Sequence, residues 1–122
     1  MTAVAARAQL QAAIVSALPL VAVYPMPPTS VSGPSVVIAP AGWAINNGSQ
    51  VAYRVEVSCL TNKQDTTQAL EDLEAMAATA WLTALGSGWT AGDMSDPAAV
   101  TYGEQPYLAM TFTASRLVTL AT

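Results

Sequence analysis

The sequence predicts an α+β fold, in which a mainly antiparallel β-sheet carries two α-helices packed on one face. Three observations lead to this prediction. Residues 51–59 alternate apolar and polar side chains with a period of two, which is typical of a half-buried strand. Residues 70–84 repeat apolar side chains at helical spacing, and residues 107–114 alternate again. Strands that flank an amphipathic helix favour a sheet covered by helices.

Length and composition place limits on the kind of protein. A chain of 122 residues suits one core, so residues 1–122 are predicted to form a single domain. Only 10% of the residues are charged, against about 25% in ordinary globular chains, while 52% are hydrophobic. A membrane or other subunits could cover such a surface. Because the longest apolar run, 12–24, contains Pro19 and is shorter than the roughly 20 residues of a membrane span, we expect subunits.

The N-terminal region is predicted to be a folded helix over residues 3–18, which Pro19 ends. A signal peptide is disfavoured because Arg7 is the only basic residue near its start. Both sides of this helix are apolar, so we expect one side to pack on the sheet and the other on a neighbouring subunit. Residues 20–24 are predicted to be extended. They lead into a Pro-rich arm at about 25–34, which can lie over a neighbour with little loss of entropy.

The middle of the chain is predicted to hold two strands. Residues 36–38 form a short apolar run that we expect to end at Pro40. The sequence Asn-Asn-Gly-Ser at 46–49 is typical of a tight turn. It therefore predicts a loop or hairpin that leads into the strand at 51–59.

The second helix is predicted to begin after a cap at Asp65 and to end at Gly86 as a left-handed C-cap. Its first turns are acidic, but no charged residue occurs between Ala75 and Gly92. This half is therefore predicted to be buried on two sides, partly by another subunit. The residues predicted for that subunit interface lie on both helices: Val4, Val15, Met76, Trp81, Leu82 and Leu85.

The last third of the chain is predicted to be a loop followed by a hairpin. Residues 87–97 are rich in Gly, Ser and Asp around Trp89 and predict a loop. Residues 100–102 and 107–114 predict two strands, which we expect to pair beside the strand at 51–59.

Catalytic and metal-binding chemistry has little support in the sequence. The chain has no histidine, which excludes His-containing triads and His-ligated metals. Cys59 lies on the inward side of a strand and is interpreted as a core thiol. Asp93 and Asp96 are interpreted as turn residues, and the acidic residues that begin the second helix as partners of its dipole. We therefore expect no enzyme activity, no cofactor and no metal site.

Two kinds of binding site were also considered. Four basic residues and a net charge of −4 argue against a patch that binds nucleic acid. Trp43, Trp81 and Trp89 could line a ligand pocket, but single tryptophans are more typical of a core or an interface. A small ligand-binding domain therefore stays open as an alternative.

The order of these elements resembles that of the tail terminator (tail completion) proteins of long-tailed bacteriophages. The resemblance extends over an Ala-rich first helix, a Pro-containing arm, a strand at 53–57, a helix at 69–76 and a final strand at 107–113. It is a resemblance of arrangement, without a signature motif. Residues 87–97 and the segment around Trp43 lie outside it.

This resemblance implies a structural protein of the virion, made in the host cytoplasm and placed at the junction of head and tail. Such proteins usually form a hexameric ring that caps the completed tail tube and joins it to the head connector. The implied partners are further copies of the chain, the tail tube protein and a head-connector protein, while DNA passes through the ring without sequence-specific binding and no membrane is involved. The alternatives are another neck or tail-tube subunit, or a small oligomeric α+β domain that binds a ligand.

Overall fold

The protein consists of one sheet with both helices on the same face. The computed structural model describes residues 1–26, 28, 33–45, 49–61, 67–102 and 105–119. The elements of these residues follow in chain order: α1 (Ala3–Ala17), β1 (Ala22–Tyr24), β2 (Ser35–Ile45), β3 (Gln50–Thr61), α2 (Thr67–Gly86), β4 (Thr90–Ala91), β5 (Ala98–Tyr102) and β6 (Gln105–Thr119). The predicted fold class is confirmed.

The sheet is antiparallel except where β1 pairs with β2. Its strand order is β1-β2-β3-β6-β4, and β5 also pairs with β6. β3 is central, since Val57 lies opposite Ile38 of β2 on one side and opposite Phe112 of β6 on the other. The predicted hairpin between the middle strands is therefore present, although its turn at 46–48 lies outside the described residues.

The main core lies between the sheet and the two helices. The alternating residues of β3 that the sequence predicts to point inward are all buried, and Tyr53 is the largest of them. The helices contribute apolar residues from the faces that meet the sheet, including Leu10 and Ile14 of α1 and Leu73 of α2. Since burying one such side chain contributes about 1.5–3 kcal/mol, this layer supplies most of the stabilisation of the fold.

A second, smaller core lies on the opposite face of the sheet. It joins Val37, Leu60, Tyr107 and Ala109, and Tyr24 packs against it. The sequence analysis assigned only the alternate residues of β6 to a core. β6 is in fact covered on both faces at this end, so the period of two indicates only one of its buried faces.

β2 extends further than predicted. It does not end at Pro40 but continues to Ile45, with a bulge at Ala41 where the register shifts between Pro40 and Gly42. β1 pairs only with residues Ser35–Val37, so the rest of β2 forms an edge among the described strands. A proline is tolerated there because its missing N–H costs no sheet hydrogen bond.

α2 ends in a left-handed glycine, but that glycine is Gly88 and not the predicted Gly86. Gly88 has a φ of 88°, and its N–H donates to the Leu85 carbonyl at 3.3 Å. The Trp89 N–H donates to the Ala84 carbonyl at 3.1 Å, which completes a Schellman motif. Gly86 is the last residue of the helix. The predicted cap at Asp65 lies outside the described residues.

The start of α1, the predicted loops and the length of the helices can also be compared with the sequence predictions. The Thr2 hydroxyl accepts a hydrogen bond from the Ala5 N–H at 3.2 Å and caps α1. The predicted loop at 87–97 contains the short strand β4, and much of the predicted Pro-rich arm lies outside the described residues. Within the described part of the chain, neither helix is long and apolar enough to cross a membrane.

Candidate functional site

Each helix has an apolar surface that the described residues leave uncovered. α1 contacts β1 and β6, whereas α2 contacts β3, β6 and β4. The two helices pack against each other on this face, and α1 reaches the β1 edge while α2 reaches the β4 edge. Val4 of α1 is 69% exposed, and Val15 is exposed as well. Leu82 of α2 is 62% exposed, and Leu85 is also exposed. Four of the predicted interface residues therefore lie on surfaces that a neighbouring molecule can reach.

The other two predicted interface residues are placed differently. Met76 is only 7% exposed and packs in the main core, so its side chain offers almost no area to a neighbour. Trp81 is half-buried, and its indole N–H donates to the Gly92 carbonyl at 2.8 Å. This bond attaches the ring of Trp81 to the chain that follows β4. Met76 thus belongs to the core, while Trp81 contributes one face to the surface.

A groove of about 400 Å³ lies beside Trp81, between α2 and the residues that follow β4. The Gly92 and Ser95 N–H groups donate to carbonyls of β6 at 2.7 and 2.8 Å, which fixes the outer wall of the groove. We call this feature the α2 groove, and its lining is mostly apolar: Glu74, Ala77, Ala78, Trp81, Leu82, Met94 and Met110. Glu74 is the one charged residue among these lining residues.

The wall of the α2 groove opposite the helix is not predicted by the sequence. Met94 lies in the segment 87–97, which predicts a loop, and Met110 lies in the alternating segment 107–114, which predicts a strand. Met94 is the single large apolar residue between Asp93 and Asp96, and this isolation is the signal that the sequence offered. A methionine is flexible and polarisable, so the groove can adapt to the surface that it meets.

The residues considered for a ligand pocket do not converge on one cavity. Met76 lines a separate pocket of about 210 Å³, together with Asp72 of the same helix and Thr61 of β3. Trp43 and Trp89 contact Tyr53 instead, with ring centroids 6.1 and 6.2 Å from it. The three tryptophans therefore occupy an edge, a groove and the core.

The second notable surface surrounds Trp43 on the free edge of β2. Trp43 is 54% exposed and packs edge-on against the buried ring of Tyr53. Arg7 of α1 donates from Nη1 to the Tyr53 hydroxyl at 3.0 Å, so its positive charge lies on the same face. On the other face, Nη2 of Arg54 lies 3.5 Å from the position that a Cβ on Gly42 would occupy. We call Arg7, Gly42, Trp43 and Arg54 the Trp43 edge.

Arg116 lies near the Trp43 edge but is already engaged. It donates to the Ser87 carbonyl at 3.2 Å and to the Gln9 side chain at 3.4 Å. Its guanidinium also lies 5.8 Å from the ring centre of Trp89, within the range of a cation–π contact. Arg116 therefore holds the end of α2 against the sheet.

Positive and negative side chains are separated along the strands. Arg7, Arg54 and Arg116, the described basic side chains, all lie level with Tyr53, which is the register partner of Arg116. The described carboxylates lie further along β3, on α2 and on the chain after β4: Glu56, Glu71, Asp72, Glu74, Asp93 and Asp96. The α2 groove thus lies in the acidic half of the molecule, and the Trp43 edge lies in the basic half.

The titratable groups that the structure describes are not arranged in a way typical of catalysis or of a metal site. Cys59 is buried as predicted, and desolvation raises the pKa of its thiol to about 12, so it stays protonated near neutral pH. Asp72 accepts a hydrogen bond from Gln68 at 2.8 Å, and Asp93 and Asp96 are exposed. Among the residues that the structure describes, no group of three Cys, Asp or Glu side chains is placed to hold a metal ion.

Comparison with known proteins adds no family to this description. No protein-family model matches the chain. A search of curated proteins also finds no match.

Proposed function

We propose that this chain is a structural subunit of a phage tail terminator, which forms a ring on the completed tail tube and joins it to the head connector. The proposal rests mainly on two exposed apolar helix surfaces, one around Val4 and Val15 of α1 and the other around Leu82 and Leu85 of α2. A subunit in a head-to-tail ring contacts two neighbours through two different patches. One surface on each side is what such a ring requires.

The composition supports the same proposal. A chain with 10% charged residues loses little solvation energy when its sides are covered by neighbours. Its net charge of −4 also suits a ring through which DNA passes, because an acidic surface does not hold phosphates. The described basic side chains are few and partly engaged with Tyr53 and Ser87, so they offer no continuous path for a nucleic-acid backbone.

The experiment is to measure the mass of the purified chain by gel filtration with light scattering and to image it in negative stain. A ring predicts a mass near six times the 12.6 kDa of one chain and closed particles with a central opening. Purified tail tubes mixed with the protein should carry it at one end only. A chain that stays monomeric at micromolar concentration, with and without tail tubes, would reject the proposal.

A second candidate function is favoured by one observation, the α2 groove. Its volume of about 400 Å³ falls in the range of small-molecule sites, which span about 300–1,000 Å³. The groove has few polar groups for orienting a ligand, since Glu74 is its one charged lining residue and the Trp81 N–H is already donated to Gly92. Binding of a fluorescent apolar probe to a monomer, competed by small apolar molecules, would favour this function over the ring.

Among structural proteins of the virion, the competing proposal is that the chain is another neck subunit or a tail-tube subunit. The two differ in the order of assembly. A terminator binds tails whose tube is already complete, whereas a tube subunit is added while the tube grows. Mixing the protein with finished tails and with tails arrested at short length distinguishes them.

A further inference from the structure

We infer that the Trp43 edge of one copy of this chain inserts into the α2 groove of the next copy. The inference deepens the proposed function, on which it rests for the identity of the occupant as a second copy. Part of each surface, Trp43 on one and Met94 on the other, lies outside the segments that carry the sequence resemblance.

The two surfaces lie on opposite edges of the same sheet. Trp43 is on the free edge of β2, whereas the α2 groove is bounded by the chain that follows β4 along β6. From β2 to β4 there are three strand spacings, or about 15 Å. A single chain therefore cannot bring its own Trp43 into its own groove. The contact joins two molecules, and each molecule still has one free surface of each kind.

The two surfaces are complementary in shape and apolar character. Trp43 exposes half of its indole from a rigid strand, and Tyr53 supports the ring from behind. The α2 groove offers the faces of Trp81 and Leu82 on one side and Met94 on the other. Exposed tryptophans that enter such pockets commonly dominate the affinity of an interface. The Trp43 ring and the α2 groove also lie on the same, helix-bearing face of the sheet, so neighbours related by a rotation can meet there.

The two surfaces are also complementary in charge. Arg7 and Arg54 flank Trp43 from the two faces of the sheet. Glu74 lies in the lining of the α2 groove, and Asp93 directly precedes Met94 at its wall. Because the signs are separated along the strands, a head-to-tail contact brings opposite charges together, whereas a contact between two grooves would bring carboxylates together. Charge therefore favours the Trp43 edge of another copy, rather than a second groove, as the occupant of the α2 groove.

The first test truncates the apolar contact and measures the dissociation constant of the assembly by light scattering across a dilution series. Trp43→Ala should weaken assembly at least about ten-fold, as expected for a central tryptophan. Ala78→Trp fills the groove from an exposed helix position and should weaken assembly to a similar degree. The matched control is Leu117→Ala, at a side chain that is 50% exposed on the opposite face of β6 and should change assembly less than about two-fold.

The second test exchanges the charges. Glu74→Lys should weaken assembly about five-fold, because it places like charges across the contact. Arg7→Glu and Arg54→Glu should each act in the same direction. Glu74→Lys combined in one chain with the reversal of its partner arginine should return assembly to within about two-fold of the unchanged chain, and the combination that does so identifies the partner.

The outcomes distinguish failure of this contact from failure of the proposed ring. Circular dichroism shows which variants are folded, and Ala78→Trp and Glu74→Lys test the contact even if Trp43→Ala does not fold. A chain that assembles equally well with Trp43 truncated and with the groove filled, or in which neither double reversal restores assembly, overturns this contact while the ring survives. If the unchanged chain never assembles, both the contact and the proposed function are rejected.

Discussion

Replacing Leu82 by aspartate should weaken assembly far more than it destabilises the single chain. Leu82 is 62% exposed in the monomer, so folding depends on only a small part of its apolar surface. Aspartate is also a poorer helix former than leucine by roughly 0.5 kcal/mol. Together these effects should lower the free energy of unfolding by about 1 kcal/mol, or the melting temperature by about 3–6 °C.

The effect of the same change on assembly is larger. If a neighbour covers the exposed part of Leu82, its loss removes about 1–2 kcal/mol of burial. The new carboxylate would also lose its solvation when a neighbour covers it, at a cost of at least about 2 kcal/mol. The sum of about 3–4 kcal/mol corresponds to a dissociation constant raised by a factor of several hundred.

The assay compares thermal unfolding with assembly measured by light scattering, in the unchanged chain and in two variants. Leu73→Ala is the control for folding, because Leu73 is fully buried in the same helix and should lose about 2–5 kcal/mol of stability. If Leu82→Asp lost folding and assembly in equal measure, Leu82 would belong to the core. If assembly stayed unchanged, the outer surface of α2 would not be an interface.

Three further predictions concern the fold. Gly88→Ala should cost about 1 kcal/mol in urea unfolding, because φ at that position is 88°, whereas Gly86→Ala should be neutral or stabilising. Tyr53→Phe should cost about 1–2 kcal/mol in the same assay, since it removes the acceptor of the Arg7 hydrogen bond. Burial raises the pKa of Cys59 from 9.0 to about 12, so its contribution to stability is complete below pH 9 and is lost as the pH rises towards 12, because the unfolded chain releases the proton first. Urea unfolding should therefore show a steeper decline over that range in the unchanged chain than in Cys59→Ala.

The fold was largely predictable because its main signals are local. The alternation in β3 and the apolar spacing in α2 each lie within a single element, and both predicted a buried face correctly. The predicted position of the C-cap of α2 was wrong by two residues, because Gly86 and Gly88 are both glycines at the end of the same apolar helix pattern. The choice between them depends on which carbonyls remain free at the end of α2 and on where Trp89 enters the core.

The candidate site was less predictable because it is assembled from distant parts of the chain. The exposure of Val4, Val15, Leu82 and Leu85 agrees with the prediction that both helices are apolar on two sides, and their role in an interface stays a prediction. Met76 was misplaced because it lies at the border of the buried stripe of α2. The α2 groove needs Met94 and α2 in contact, and the Trp43 edge needs β2 to continue past Pro40, neither of which is a local property.

The free edge of β2 has a further consequence for how copies can join. Pro40 offers no N–H, the bulge at Ala41 interrupts the ladder, and Gly42 has a φ of 120°. These features disfavour the addition of another strand to the sheet through main-chain hydrogen bonds, which is the route to open-ended fibres. In the proposed ring, copies would meet instead through side chains, whose packing sets the angle between neighbours. A fixed angle between neighbouring subunits allows the assembly to close into a ring of defined size.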